Sequence, residues 1–175
     1  LISNNSLISI GNNLPHLKEL TVESNNDICH TGIAALAQGC PNLECLDFAL
    51  CDRVNNKCLR EIAIHCPKVN QLAVLGAGNI TNTGITYLAE HCVNLVEVDV
   101  GFTDVTEKGV TQAIHSCPKL SHIEWKSRRK VSSALRELIT QRNITLILDE
   151  VEAVKMRKKR RKRRRKNKVV ECIVI

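Results

Sequence analysis

Residues 40–66 read CPNLECLDFALCDRVNNKCLREIAIHC, a stretch that opens and closes on a cysteine and carries two apolar rhythms between them. Leu43, Leu46 and Phe48 follow an L-x-x-L-x-L spacing whose last steps alternate as a half-buried strand does. Leu59, Ile62, Ala63 and Cys66 stand at i, i+3, i+4 and i+7, which is one stripe of a two-turn helix. Pro41 follows Cys40 directly, and a residue with a fixed φ and no amide hydrogen cannot prolong a preceding helix. The stretch therefore predicts a turn, a short strand and a helix.

Outward from it the pattern recurs with a period of about 26 residues. Val54, Leu59 and Cys66 are matched by Ile28, Ile33 and Cys40, by Ile80, Ile85 and Cys92, and by Val105, Val110 and Cys117; Ile2, Leu7 and Leu14 open the same frame. The strand spacing returns as Leu17, Leu20, Val22; Val69, Leu72, Val74; Leu95, Val98, Val100; and Leu120, Ile123, Trp125. A period in this range with this leucine spacing indicates an α/β leucine-rich-repeat solenoid. Parallel strands lie ~4.8 Å apart whereas packed helices need ~8–10 Å. The stack must therefore curve into a horseshoe, parallel strands on the concave side and helices on the convex side. About six units span residues 1–151; the last, around Val131, Leu135, Leu138 and the strand Ile144 to Leu148, is degenerate and more charged, as a terminal cap should be. Residues 152–175 form the second region.

The cysteine closing each helix, the Pro-x-Leu after it, and the turn Ile80-Thr81-Asn82-Thr83-Gly84-Ile85 resemble the cysteine-containing subfamily of leucine-rich repeats, found in F-box and leucine-rich-repeat proteins and in Amn1-like proteins. Cys51 matches the cysteine that this subfamily places after the strand, while Asn25, Ala77 and Thr103 depart from it and the turn after Val100 is one residue short. The resemblance covers residues 2–148. It implies a non-catalytic substrate receptor of a Skp1, cullin and F-box ubiquitin ligase, whose repeats recruit a target for ubiquitination and proteasomal degradation. The F-box that would bind Skp1 and cullin lies outside these residues, and a chain opening inside a repeat is expected to be a fragment. The alternative is an Amn1-like adaptor or regulator without an F-box.

The 175 residues are 43% hydrophobic but only 2% aromatic, as suits a repeat core of Leu, Ile, Val, Ala and Cys. Cys40, Cys66, Cys92 and Cys117 follow the helix period, so they read as small buried hydrophobes in a reducing compartment. A cytoplasmic protein is expected, with no signal peptide or membrane span in these residues.

Lys155 to Lys168 holds 12 Lys/Arg and no acid, and removing it from the net +7 leaves −5 for the rest. Such a run cannot bury a core, and a disordered tail is expected over residues 152–175. The final Cys172-Ile173-Val174-Ile175 has the form of a CaaX prenylation box. A single prenyl chain anchors weakly, and the neighbouring Lys158, Lys159, Arg160, Arg161, Lys162, Arg163, Arg164, Arg165 and Lys166 would supply a second signal to an anionic membrane, at ~1 kcal/mol per charge. The same run suits importin and a nuclear location, and it also fits a low-complexity stretch translated past the domain end, with no function of its own. No aromatic residue interleaves with it, so specific nucleic-acid binding is not expected.

Strand alternation places the partner-binding surface. With Leu20 and Val22 inward, Glu19, Thr21 and Glu23 face the concave side, as do Cys45, Asp47 and Ala49; Gln71, Ala73 and Leu75; Glu97 and Asp99; and His122, Glu124 and Lys126. This mainly acidic face with an apolar patch at Ala73 and Leu75 suits a target whose basic segment flanks a hydrophobic anchor. The same acids also fit a solvated face. His65-Cys66 and His91-Cys92 recur one unit apart, but one member of each pair faces outward and there is no C-x-x-C, so neither a metal site nor a cofactor is expected. Gly32, Gly84 and Gly109 occupy the turn-to-helix position and read as structural.

Overall fold

Six helices and six three-residue strands alternate along the chain in the computed structural model, which describes residues 2–126, 131–148 and 172–174. In order they are α1 (Asn4–Asn13), β1 (Glu19–Thr21), α2 (His30–Gly39), β2 (Cys45–Asp47), α3 (Asn56–His65), β3 (Gln71–Ala73), α4 (Asn82–His91), β4 (Glu97–Asp99), α5 (Glu107–Ser116), β5 (His122–Glu124), α6 (Ser133–Gln141) and β6 (Thr145–Ile147). All pair in parallel in chain order, and a further strand, β7 (Cys172–Val174), pairs in parallel with the free side of β1. The α/β leucine-rich-repeat solenoid is therefore the fold.

The register is what repetition demands. Leu20, Leu46, Leu72, Val98, Ile123 and Leu146 lie opposite one another, so each strand sends its middle side chain towards the helices. Leu7, Ile33, Leu59, Ile85, Val110 and Leu135 meet them from the helix side in one continuous core. Trp125 continues the row of Val22, Phe48, Val74 and Val100, and its indole Nε1 donates to the Val105 carbonyl at 2.9 Å, so the largest core side chain leaves no polar atom unpaired.

The helix-closing cysteines form a row with a second use. A helix leaves its last carbonyls without intrahelical partners. The Cys66 thiol donates to the Ala37 and Cys40 carbonyls at 3.5 and 3.6 Å, Cys92 to the Cys66 carbonyl at 4.0 Å, and Cys117 to the Cys92 carbonyl at 3.9 Å. At α6 the C-cap is Arg142, whose guanidinium donates to the Cys117 and Pro118 carbonyls at 3.4 and 3.2 Å and ends the row. Burial pushes the Cys66 and Cys92 thiols up to about 12, and those of Cys58 and Cys117 up to about 11. All eight described cysteines are free thiols.

A second row joins the helix entries. Asn56, first residue of α3, accepts from the Thr81 amide at 3.0 Å and donates to the Thr81 hydroxyl at 2.9 Å. Asn82 does the same for Thr106 at 2.9 and 2.8 Å, and Asn4 serves Cys29. The glycines are explained here: a Cβ on Gly84 would stand 2.6 Å from Asn56 Oδ1, and Gly32 and Gly109 meet Asn4 and Asn82 likewise. His30 breaks the row. It turns instead towards Glu61, and the position matching Gly84 in the next unit is then filled by Cys58, which carries a side chain and is fully buried.

The expected disorder of residues 152–175 lies outside the described residues except at Cys172–Val174, which are a strand. The basic run Lys158 to Lys166 lies wholly outside them, as does the Cys172 side chain. No helix among the described residues is long and apolar enough to cross a membrane.

Candidate protein-binding face

Register assembles the predicted residues into rows on the sheet face away from the helices. One row runs Glu19, Cys45, Gln71, Glu97, His122; the next runs Thr21, Asp47, Ala73, Asp99, Glu124. Neighbours within a row are ~4.8 Å apart, so the face is a lattice of side chains on a fixed spacing. Glu23, Ala49, Leu75 and Gly101 continue it beyond the strand ends.

Glu19, Glu23, Asp47, Gln71, Ala73, Glu97, His122 and Lys126 are partly exposed, whereas Thr21, Cys45, Ala49, Leu75, Asp99 and Glu124 are buried. Asp47 Oδ1 accepts from the Ala49 amide at 3.1 Å and Asp99 Oδ1 from the Gly101 amide at 3.0 Å, so both aspartates close the turn that ends their strand. None of Glu19, Glu23, Asp47, Glu97, Asp99 and Glu124 is a free charge. The apolar patch expected at Ala73 and Leu75 differs from the expectation. Leu75 lies down over Gly101, its Cδ1 2.8 Å from where a Cβ would stand, and is only 5% exposed.

The exposed apolar groups lie one step further along the chain. Ser24, Leu50, Gly76 and Phe102 recur in the turn after each of the first four strands, and all four have positive φ, at 55°, 59°, 77° and 55°. Glycine is at ease in that left-handed conformation and serine tolerates it, but a bulky side chain there is strained. Leu50 and Phe102 are nonetheless 49% and 52% exposed. The Lys126 ammonium sits 4.3 Å over the Phe102 ring. With the repeats aligned, these two large residues alternate in one column with the small Ser24 and Gly76, a signal that strand alternation alone passes over.

Among the described residues no group of three or more His, Cys, Asp or Glu is placed to hold a metal. A small cavity among Ile85, Val98, Val100, Val105, Val110, Ala113 and Ile123 is lined only by apolar side chains.

Known proteins agree on the architecture. No protein-family profile matches the chain. It is 31% identical over 110 residues to the Transport inhibitor response 1-like protein of Oryza sativa subsp. japonica, covering 59% of this chain and 19% of that one. It is 21% identical over 140 residues to F-box protein SKIP1 of Arabidopsis thaliana, covering 70% and 47%, and 32% identical over 88 residues to F-box/LRR-repeat protein 4 of Bos taurus, covering 49% and 14%. The chain spans less than half the length of each of these curated relatives. Among solved structures, the yeast Rad7 and Elc1 complex superposes with a TM-score of 0.66 at 16% identity, over 86% of this chain and 39% of that one. The tropomodulin C-terminal domain of Caenorhabditis elegans gives 0.62 at 16% identity, over 90% and 98%. At such identity the solved structures establish the fold, and the sequence relatives are F-box and leucine-rich-repeat proteins at low identity.

Proposed function

We propose that this chain is the target-recognition part of an F-box and leucine-rich-repeat protein, recruiting proteins to a Skp1, cullin and F-box ubiquitin ligase while other subunits carry the chemistry. The observation that carries the reading is the in-register, mainly acidic lattice on the sheet face, on a chain whose relatives bear F-box names. The complementary partner presents a basic segment. Location is a separate proposal: Cys172 and the basic run direct the protein to an anionic membrane or, through importin, to the nucleus. A full-length fusion with and without Cys172→Ser separates the two.

The test uses the full-length coding sequence. Purification from proteasome-inhibited cells is expected to bring down Skp1 and cullin together with ubiquitinated proteins, and Glu19→Lys with Glu97→Lys to deplete the ubiquitinated proteins while leaving Skp1 bound. These two side chains are chosen because Asp47 and Asp99 also hold strand ends together. Absence of Skp1 would sink the ligase reading and leave the Amn1-like adaptor in its place.

A further inference from the structure

Leu50 and Phe102 combine three features that work against each other unless something covers them. Each is large and apolar, each is about half exposed, and each sits in a backbone conformation that Ser24 and Gly76 fill at lower strain. Strain without burial is the pattern that marks functional positions. The pair has a further regularity: Asp52 and Asp104, both exposed, follow Leu50 and Phe102 by two residues. An apolar group with a carboxylate beside it is thus presented twice along one rim.

Spacing narrows the partner. The two copies are two strand intervals apart, ~10 Å. On an α-helix, residues i and i+7 lie on one face ~10.5 Å apart, with i+3 and i+4 between them. Midway along the rim is Gly76, over which the Leu50 side chain lies, its Cδ2 2.8 Å from where a Cβ would stand, so the middle residue would meet the apolar flank of Leu50. Lysines or arginines beside the two outer apolar residues would meet Asp52 and Asp104.

We propose that Leu50 and Phe102, each with its following aspartate, form a two-point docking rim for a cationic amphipathic helix of a partner protein. The rim rests on the protein-binding reading but uses a surface beside the strand rows. The Lys126 ammonium stacks on the Phe102 ring, which still keeps about half of its surface exposed for the helix.

The probe is a synthetic helical peptide with leucines at i, i+3 and i+7 flanked by lysines, together with a Leu→Ala version of it. Binding is measured by fluorescence anisotropy to the wild-type chain, to Leu50→Gly with Phe102→Gly, to Asp52→Asn with Asp104→Asn, and to Glu19→Lys with Glu97→Lys. Glycine is the residue this backbone favours, so the Gly pair is expected to weaken binding at least 10-fold without lowering the melting temperature. The Asn pair should weaken it less and flatten its salt dependence, the concave pair should change it less than twofold, and the Leu→Ala peptide should bind poorly. Equal binding by the Gly pair, a lowered melting temperature for it, or indifference to the leucines overturns the proposal. Loss of binding in the concave pair alone would overturn the rim and leave the protein-binding reading standing.

Discussion

Each repeat turns twice, and the two turns are built on opposite terms. Where the helix gives way to the strand, Cys40, Cys66, Cys92 and Cys117 recur, all fully buried, each thiol handing a hydrogen bond back to the unit before it. Where the strand gives way to the helix, the backbone repeats its left-handed residue but the side chain changes from Ser24 to Leu50, Gly76 and Phe102. The first turn holds the stack and, between its ends at Leu14 and Arg142, keeps to one chemistry. The second repeats a backbone shape while its side chains vary.

Raising the pH attacks the buried thiols, Cys66, Cys92 and Cys117 in the first turn and Cys58 at a helix entry, and should give the largest effect. The buried thiols of Cys58, Cys66, Cys92 and Cys117 have folded values of about 11 to 12 against 9.0 for an ordinary thiol. Above pH 9 the unfolded chain releases these protons and the folded chain keeps them, so stability falls as pH rises. Each thiol withdraws ~1.4 kcal/mol per pH unit, on the order of 5 kcal/mol for the four by pH 10. Urea melts at pH 7, 8 and 10 should show midpoints equal at the first two and sharply lower at the third; a flat profile would mean that the thiols are solvated.

Gly84→Ala tests the helix entry that follows the second turn. Its methyl would collide with Asn56, and overpacking of this kind costs ~1–3 kcal/mol. Adding Asn56→Ala should return part of that loss by making room, although the Thr81 amide then goes without its acceptor. Two independent losses in a double-mutant cycle would show that the pair does not act through contact.

The smallest effect belongs to the rim. Leu50→Gly and Phe102→Gly should each leave stability at or above the wild-type value, by no more than ~1 kcal/mol, because relief of the positive φ matches or exceeds the added freedom of glycine. Leu46→Ala, in the core row one turn earlier, should cost ~2–5 kcal/mol. Thermal melts of the three variants separate a side chain kept for packing from one kept for contact.

The helices, the strands and the row of cysteines were legible because buried apolar groups carry the 3.6-residue and two-residue periods directly. Three features were not. The burial of Leu75, Asp99 and Glu124 depends on what lies across the face and not on alternation along one strand. The strand at Cys172–Val174 joins β1 across a long stretch of chain, and no local period signals such a pairing. Asn56 and Gly84 lie in different units, so their fit exists only once the units are stacked.

That fit limits how such a chain can be rearranged. Deleting the 26-residue unit from Asp27 to Asp52 would seat Asn4 against Cys58, whose side chain occupies the room that Gly32 leaves. Excising the next, Arg53 to Gly78, would set His30 beside Gly84, a joint with neither clash nor hydrogen bond. Whole modules can therefore be lost or duplicated only where the seam matches. What is inherited as a unit is the interface between neighbours, half of it contributed by each.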